Sequence, residues 1–435
     1  MKNREATVSP FSNKSREGEN MTIRNLYSKV IILLLFVLVL ASSTTVAYSY
    51  FDTLEQETGP ISVNIGEWMI GISTAQEFYD FATKTDSVSE DKYYLENDID
   101  FSGFTWQLNA SNNNVSFKGT LDGNNYTLSN LTIYTDSSVY ANIGIFPIIN
   151  GGTVKNLGLD NVEISLGSNA LAATVLAGGL IAGQILNTVT ISNITINDSS
   201  VRATRGTGAG GIVGYIRGSS SDITITNILA TNLKVWNKSS NAGGIVGQIN
   251  QNVPSINFSN IDIQGDIFSE AAGAYAGGIV GKLEANSFLT ISNAVVEMNP
   301  QNTLETSIGY LDYANKFIGG LVGYNLGNST SLIISDTFFT GNLRTDIKTR
   351  SIYVGTAIGR NLGTYTMTNS FYSMVQFLQT DGNLYYTPDT NAEGVFSTVV
   401  NTSSMPSASW WNNFYTDFDN NLWTQDGTGR LTLIR

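Results

Sequence analysis

Apolar positions through the middle of the chain recur in two short patterns that keep one beat. The first is small-Gly-Gly-aliphatic-aliphatic-Gly: Ala177 to Gly183, with one extra residue before its last glycine, then Ala209 to Gly214, Ala242 to Gly247, Ala276 to Gly281, Ile318 to Gly323 and a decayed Val354 to Gly359. Their first glycines, Gly178, Gly210, Gly243, Gly277, Gly319 and Gly355, stand 32, 33, 34, 42 and 36 residues apart. The second is apolar-x-Asn-apolar-x-apolar, at Leu128 to Ile133, Val154 to Leu159, Ile191 to Ile196, Ile225 to Ala230, Phe258 to Ile263, Ile291 to Val296 and Met367 to Tyr372, with Asp336 for the asparagine in Ile334 to Phe339. Two markers in phase predict a repeat architecture, in which each unit buries its apolar side only against its neighbours. The unit reads as a glycine-rich strand, a variable turn, a strand ending at Asn, a second short strand and a loop. About eight such rungs are expected.

The spacing also predicts corners. In Ile191-Ser192-Asn193-Ile194-Thr195-Ile196, Ile191 shares a face with Asn193, whereas Ile194 and Ile196 share another. Side chains alternate along a strand, so this parity change requires a bend. Asn tolerates the left-handed backbone a sharp corner needs. Stacked corners would let the amides hydrogen-bond in a ladder along the axis. In the glycine segment, the paired glycines supply a tight turn or a close backbone approach. The variable site that follows, Gln184, Tyr215, Gln248, Lys282, Tyr324 and Arg360, is expected to face water.

A solenoid must cover its open ends. Ser73 to Lys84 carries a helix signature, with Thr74 and Glu77 in capping-box spacing and Ala75, Phe78, Tyr79 and Ala82 on one face. Tyr93 to Asp100 reads as a strand entering an Asx turn, and Phe117 to Leu128 as two strands around Asp122-Gly123. Helix plus hairpin is the expected N-terminal cap. From about 373 the beat dissolves and aromatics gather, Tyr385, Tyr386, Trp410, Trp411, Phe414, Tyr415, Phe418 and Trp423, ending in a hairpin over 422–434. These are expected to form an aromatic C-terminal cap rather than a carbohydrate-stacking surface.

The N-terminus is polar and basic up to Lys29, and Val30 to Ala41 is an unbroken apolar run of 12 residues before Ser42 to Ala47. That is the length of a signal-peptide core and short of the ~20 residues that span a bilayer. Initiation at Met21 would leave a normal short basic region before it, with cleavage after Ala47. The alternative is retention as an N-terminal anchor. The expected layout is 1–47 basic N-terminus and signal peptide or anchor, 48–71 linker, 72–127 N-terminal cap, 128–372 β-solenoid and 373–435 C-terminal cap.

Composition narrows function. A net charge of −13 argues against nucleic acid, which needs clustered Lys and Arg. With no Cys there are no disulfides or thiolate metal sites, and with no His neither a Ser-His-Asp arrangement nor a His-Glu-x-x-His zinc helix can form. No Gly-Lys-Ser/Thr phosphate loop occurs. Carboxylates remain. Asp98, Asp100 and Asp122 are the candidates, as an acid pair of the kind β-helix polysaccharide enzymes use or as Ca²⁺ ligands, against ordinary turn duty, which is the reading adopted. No residue is assigned a catalytic, cofactor-binding or metal-ligating role, and no cofactor is expected.

The Gly-Gly-Ile/Leu-Val-Gly units with Asn-centred strands between them resemble the GLUG repeat. So does the arrangement of a short helix, Leu95 to Asp100 and Gly119 to Asn124 ahead of the repeats. Such chains are adhesin-like bacterial surface proteins, and the same repeats flank the zinc domain of immunoglobulin A peptidases. The stretch 47–68 resembles the leader junction of camelysin-like exported proteins. The resemblance implies an all-β, right-handed parallel β-helix or β-solenoid at the cell surface, and carries no catalytic residue onto this chain. The expectation is an exported surface or matrix protein that binds proteins or glycans of host or neighbouring cells, without nucleic acid, and with a membrane only through an uncleaved N-terminal segment. The alternative is a polysaccharide-degrading β-helix.

Overall fold

The computed structural model describes residues 69–83, 91–108, 115–135, 141–166, 175–203, 206–218, 222–269, 275–298, 303–306, 316–327, 331–345, 352–379, 395, 397–401, 406–415, 418–426 and 430–434. The chain divides into two units, Met1–Trp68 and Met69–Arg435, and every described residue lies in the second. The expected signal peptide and leader junction fall outside the described residues.

The second unit is a parallel β-solenoid. Strands Phe146–Asp160, Ala182–Asn197, Asp222–Asn237, Ser255–Ser269, Phe288–Met298, Ser331–Thr345 and Thr364–Gln379 stack in parallel register in one long sheet. A second, seven-stranded sheet holds the glycine strands, from Ala141–Ile143 to Ile352–Gly355. Six coils therefore separate its first strand from its last. The long sheet continues beyond both ends of it, which is why the expected eight rungs are not all complete.

Register places like residues over like. Leu121, Val154, Ile191, Ile225, Phe258, Ile291 and Ile334 form one inward column, each buried. Each fully buried aliphatic side chain of this kind contributes about 1.5–3 kcal/mol of transfer free energy. These columns merge into one continuous core that runs from Ile72 to Val395.

The corner asparagines are left-handed as expected: φ is 54° at Asn156, 55° at Asn193, 56° at Asn227, 53° at Asn260, 51° at Asn293, 54° at Asp336 and 45° at Asn369. Their amides form the ladder. Asn193 Nδ2 donates to Asn156 Oδ1 at 2.8 Å, Asn227 to Asn193 at 2.7 Å, Asn260 to Asn227 at 2.9 Å and Asn293 to Asn260 at 3.3 Å. A second left-handed corner runs through Asn130 and Asn161, with Asn161 donating to Asn130 at 2.8 Å.

The repeat glycines answer to crowding and not to handedness. A Cβ on Gly243 would stand 2.1 Å from Val246 O, and one on Gly244 would stand 2.1 Å from Gly278 O. The bend after each pair brings two backbone layers within van der Waals range, and successive bends are themselves bonded, as in Ile245 N to Ile279 O at 2.9 Å. Ladder pairing skips the last glycine of each unit, passing from Val246↔Val280 to Gln248↔Lys282. That irregularity turns Val246 as well as Ile249 into the core.

At the N-terminal end, helix α1 (Ala75–Ala82) carries the expected capping box, Glu77 N to Thr74 Oγ1 at 3.2 Å and Thr74 N to Glu77 Oε2 at 3.1 Å. Phe78 is fully buried against Phe101 and Trp106. The expected hairpin around Asp122-Gly123 does not form. Thr120–Asp122 pairs in parallel with Lys92–Leu95 and with Thr153 to Lys155, and Thr127–Ser129 pairs with Gly158 to Asp160. Asn124 and Asn125 are both left-handed, so the chain turns a corner of the first coil there instead of doubling back. At the other end, helix α2 (Ala408–Tyr415) precedes the expected terminal hairpin, Trp423–Gln425 with Leu431–Leu433.

Candidate interaction surfaces

The three carboxylate candidates are engaged at corners. Asp98 accepts Thr127 N at 2.8 Å. Asp100 accepts Ser102 N at 2.9 Å and Asn130 Nδ2 at 2.9 Å, and these bonds, led by that from Asn130, hold its carboxyl below the usual range. Asp122 accepts Asn124 N and Asn156 Nδ2, each at 2.9 Å, and pairs with Lys155 at 3.0 Å. Burial opposes these contacts, yet its carboxyl still lies below the ordinary value. Asp100 and Asp122 are the acceptors on which the two asparagine ladders end. The structure thus gives them the turn duty read from the sequence. Among the described residues no group of three or more acidic side chains converges to hold a metal ion.

The variable column after each glycine motif departs from expectation. Gln184, Tyr215, Gln248, Lys282, Tyr324 and Arg360 stand in register, but Gln184, Gln248 and Tyr324 are buried. They face a column of the seven-stranded sheet that includes Asn142, Asn241, Tyr275 and Phe317. Asn142 donates to Gln184 at 3.2 Å, Asn241 to Gln248 at 2.6 Å, and Gln248 to Glu284 at 2.8 Å. Tyr275, Phe317 and Tyr324 stack with centroids 4.8–5.2 Å apart, while Lys282 sits 5.5 Å from the Tyr275 ring and Arg360 5.4 Å from Phe317. Burial pushes the Tyr275 hydroxyl up, with Arg360 pulling the other way. Gln184 and Gln248 avoid water because the glycine bend folds two strands face to face, and each accepts from an asparagine across the fold.

Of the expected C-terminal aromatics, Tyr385 and Tyr386 lie outside the described residues, and Trp410, Trp411, Phe414, Phe418 and Trp423 bury a flank of the coils. Trp411, Phe414, Phe418 and Trp423 join Leu229, Val295 and Phe338 in a cluster separate from the main core. Leu229, Asp262, Val295, Phe338 and Phe371 form one outward-facing column. Asp262, wholly buried, accepts Arg430 Nη2 at 2.7 Å and Thr432 Oγ1 at 2.7 Å, and Arg430 Nε also meets Glu297 at 2.6 Å. Burial would lower the Arg430 pKa, but the surrounding carboxylates, Asp262 foremost, more than offset it and raise it. Trp423 Nε1 donates to Asn260 at 3.1 Å, tying the hairpin to the corner ladder. Sequence reasoning missed this dock. The available sign was that the outward position polar at Thr195 becomes Leu229, Val295, Phe338 and Phe371 in later repeats.

Among the described residues, nothing packs over the face before the Asn corner. Its two outward columns are Thr190, Thr224, Asn257, Thr290, Ile333 and Thr366, and Ser192, Thr226, Ser259, Ser292, Ser335 and Thr368. All are half-buried or exposed. Phe288, on the same face, is 49% exposed, and Ile333 is 43% exposed.

A scan against protein-family models finds no match, and a search of curated proteins finds none either. Among solved structures, the chain is similar to "a putative immunoglobulin A1 protease from Bacteroides ovatus", at 18% sequence identity and a TM-score of 0.50, over 85% of this chain and 93% of that one. At that identity the likeness establishes a shared fold, the β-solenoid.

Proposed function

We propose that this chain is an exported cell-surface or matrix solenoid that works by binding and display and not by catalysis. The observation that carries the reading is the division of labour among its polar residues. The corner carboxylates hold backbone and ladder amides, whereas an in-register face made mostly of hydroxyl side chains is left on the outside. The GLUG-like repeats, the signal-peptide pattern of residues 21–47 and the bacterial origin of the similar structure support a place on or outside a bacterial envelope. The protease activity named for the Bacteroides ovatus protein is not part of the reading, since a chain without His or Cys lacks the residues of a Ser-His-Asp, Cys-His or zinc-peptidase centre.

The test is twofold. Fractionation of the producing bacterium should place the protein outside the cytoplasm, with a mature N-terminus after Ala47. Purified protein should adhere to cells or to immobilised glycans or proteins and leave polyuronates and neutral glycans uncut. Release of new chain ends would instead establish the polysaccharide-degrading alternative, and cytoplasmic retention would end the surface reading.

A further inference from the structure

Resting on the binding-and-display reading, we infer that the open face before the Asn corner binds a neutral polysaccharide laid along the solenoid axis. Its twelve positions from Thr190 to Thr368 include ten hydroxyls, Asn257 and Ile333 being the exceptions, and none is charged. In a chain of net charge −13, these twelve positions hold no ionisable group, and the charges on the same side stand at their margin, Asp222 in the column of Phe288 and Lys155 one coil before Ser192, so the two columns favour an uncharged partner. The Ser and Thr hydroxyls each donate and accept, as a partner made of hydroxyl groups requires, and an Asn amide does the same. Where neighbouring hydroxyls bond one another, as Thr226 and Ser259 do at 2.8 Å, each keeps capacity for a further bond.

Geometry favours a polymer. The columns repeat once per coil, ~4.8 Å apart, so six coils give an array roughly 24 Å long, and residues i and i+2 set the two columns ~6.7 Å apart. A ligand with one kind of group at short intervals meets the same contact on successive coils, and weak contacts then add. Phe288 lies one coil below Ser331, and Ser331 is two residues before Ile333 on the same face. Their exposed side chains therefore stand on a diagonal and offer the apolar patch that the C–H side of a sugar ring packs against. A protein partner is less well matched, because such interfaces centre on large aromatic and Arg anchors, and this face presents one aromatic ring and no Arg.

Affinity electrophoresis of the full exported protein through gels containing a neutral β-glucan, a neutral galactomannan or polygalacturonate tests this. At least one neutral polymer should retard the protein and polygalacturonate should not. The variant Phe288→Ala/Ile333→Ser should weaken that retardation about tenfold, in line with losing a ring contact. Thr290→Glu/Ser292→Glu, with both substitutions on the exposed face, should abolish it, while the exposed control Thr424→Glu on the C-terminal hairpin leaves it unchanged. Unaltered melting temperatures establish that the variants fold. Retardation by polygalacturonate alone, or neutral-glycan binding that survives the Glu variant, overturns the proposal for this face and leaves the display reading standing. Failure to bind any polysaccharide, protein or cell surface overturns both.

Discussion

At the scale of single residues, the fold depends on two side-chain types for opposite reasons. Glycine is present where there is no room. A Cβ on Gly278 would lie 2.0 Å from Gly320 O and 2.7 Å from Val296 Cγ1, and backbone cannot give way as a side-chain tip can. Gly278→Ala should therefore cost about 3 kcal/mol or more by forcing the bend apart, seen as a shifted midpoint in urea unfolding. Asparagine is present where the backbone is left-handed and a donor must reach the preceding coil. Asp336 keeps the backbone conformation but has no N–H to offer Asn293, although it accepts from Asn369 at 2.6 Å. Asp336→Asn should join the two parts of the ladder and stabilise the protein by about 1 kcal/mol, also measurable in urea. Both roles were legible in the sequence. The glycine and asparagine marks recur in phase, and the parity break at Asn required a bend. Which of two duties the glycines perform was not legible, since tight turns and close approach leave the same letters.

At the scale of elements, α1 and the terminal hairpin are local in origin and were readable. The Thr74–Glu77 capping box and the spacing of Phe78 and Ala82 specify the helix without reference to the rest of the chain. The misread strands around Asp122 are the counter-example: Asp-Gly between two apolar dipeptides fits a hairpin or a corner, and pairing with strands some thirty residues away decided it. Docking of the C-terminal module was out of reach for the same reason, because Asp262 and Arg430 are 168 residues apart. The pair is testable. Asp262→Ala leaves Arg430 buried without its main partner and should cost about 3–5 kcal/mol, whereas the double replacement Asp262→Leu/Arg430→Met should cost less than either single change. Tryptophan fluorescence from Trp411 and Trp423 would report detachment of the module, which uncovers Leu229, Val295 and Phe338.

For the whole molecule, the continuous core makes stability a sum over coils and their contacts, and its pH dependence a sum over few groups. Burial pushes Asp266 up to about 6, with Lys234, its register neighbour, pulling it down. A raised carboxyl means the folded chain holds its proton more tightly than the unfolded one, so this group favours folding most below about pH 4 and loses that advantage as pH rises through 6. Asp100 and Asp122 act in the opposite sense, stabilising above their unfolded values and losing effect on acidification. The sum of these groups places greatest stability in mildly acid solution. Asp266→Asn should remove the decline between pH 4 and 7, raising stability at pH 7 by about 2–3 kcal/mol and changing little at pH 4. Thermal unfolding across that range checks the sign.

The break in the corner ladder has a mechanical meaning. Each amide hands its hydrogen to the coil before it, and between Asn293 and Asp336, beside the longest spacing between glycine motifs, that relay has nothing to pass on. With that relay interrupted, the joint between the two coils is carried by its backbone pairing, from Phe288↔Ser331 to Glu297↔Thr340, and by the buried columns beneath it.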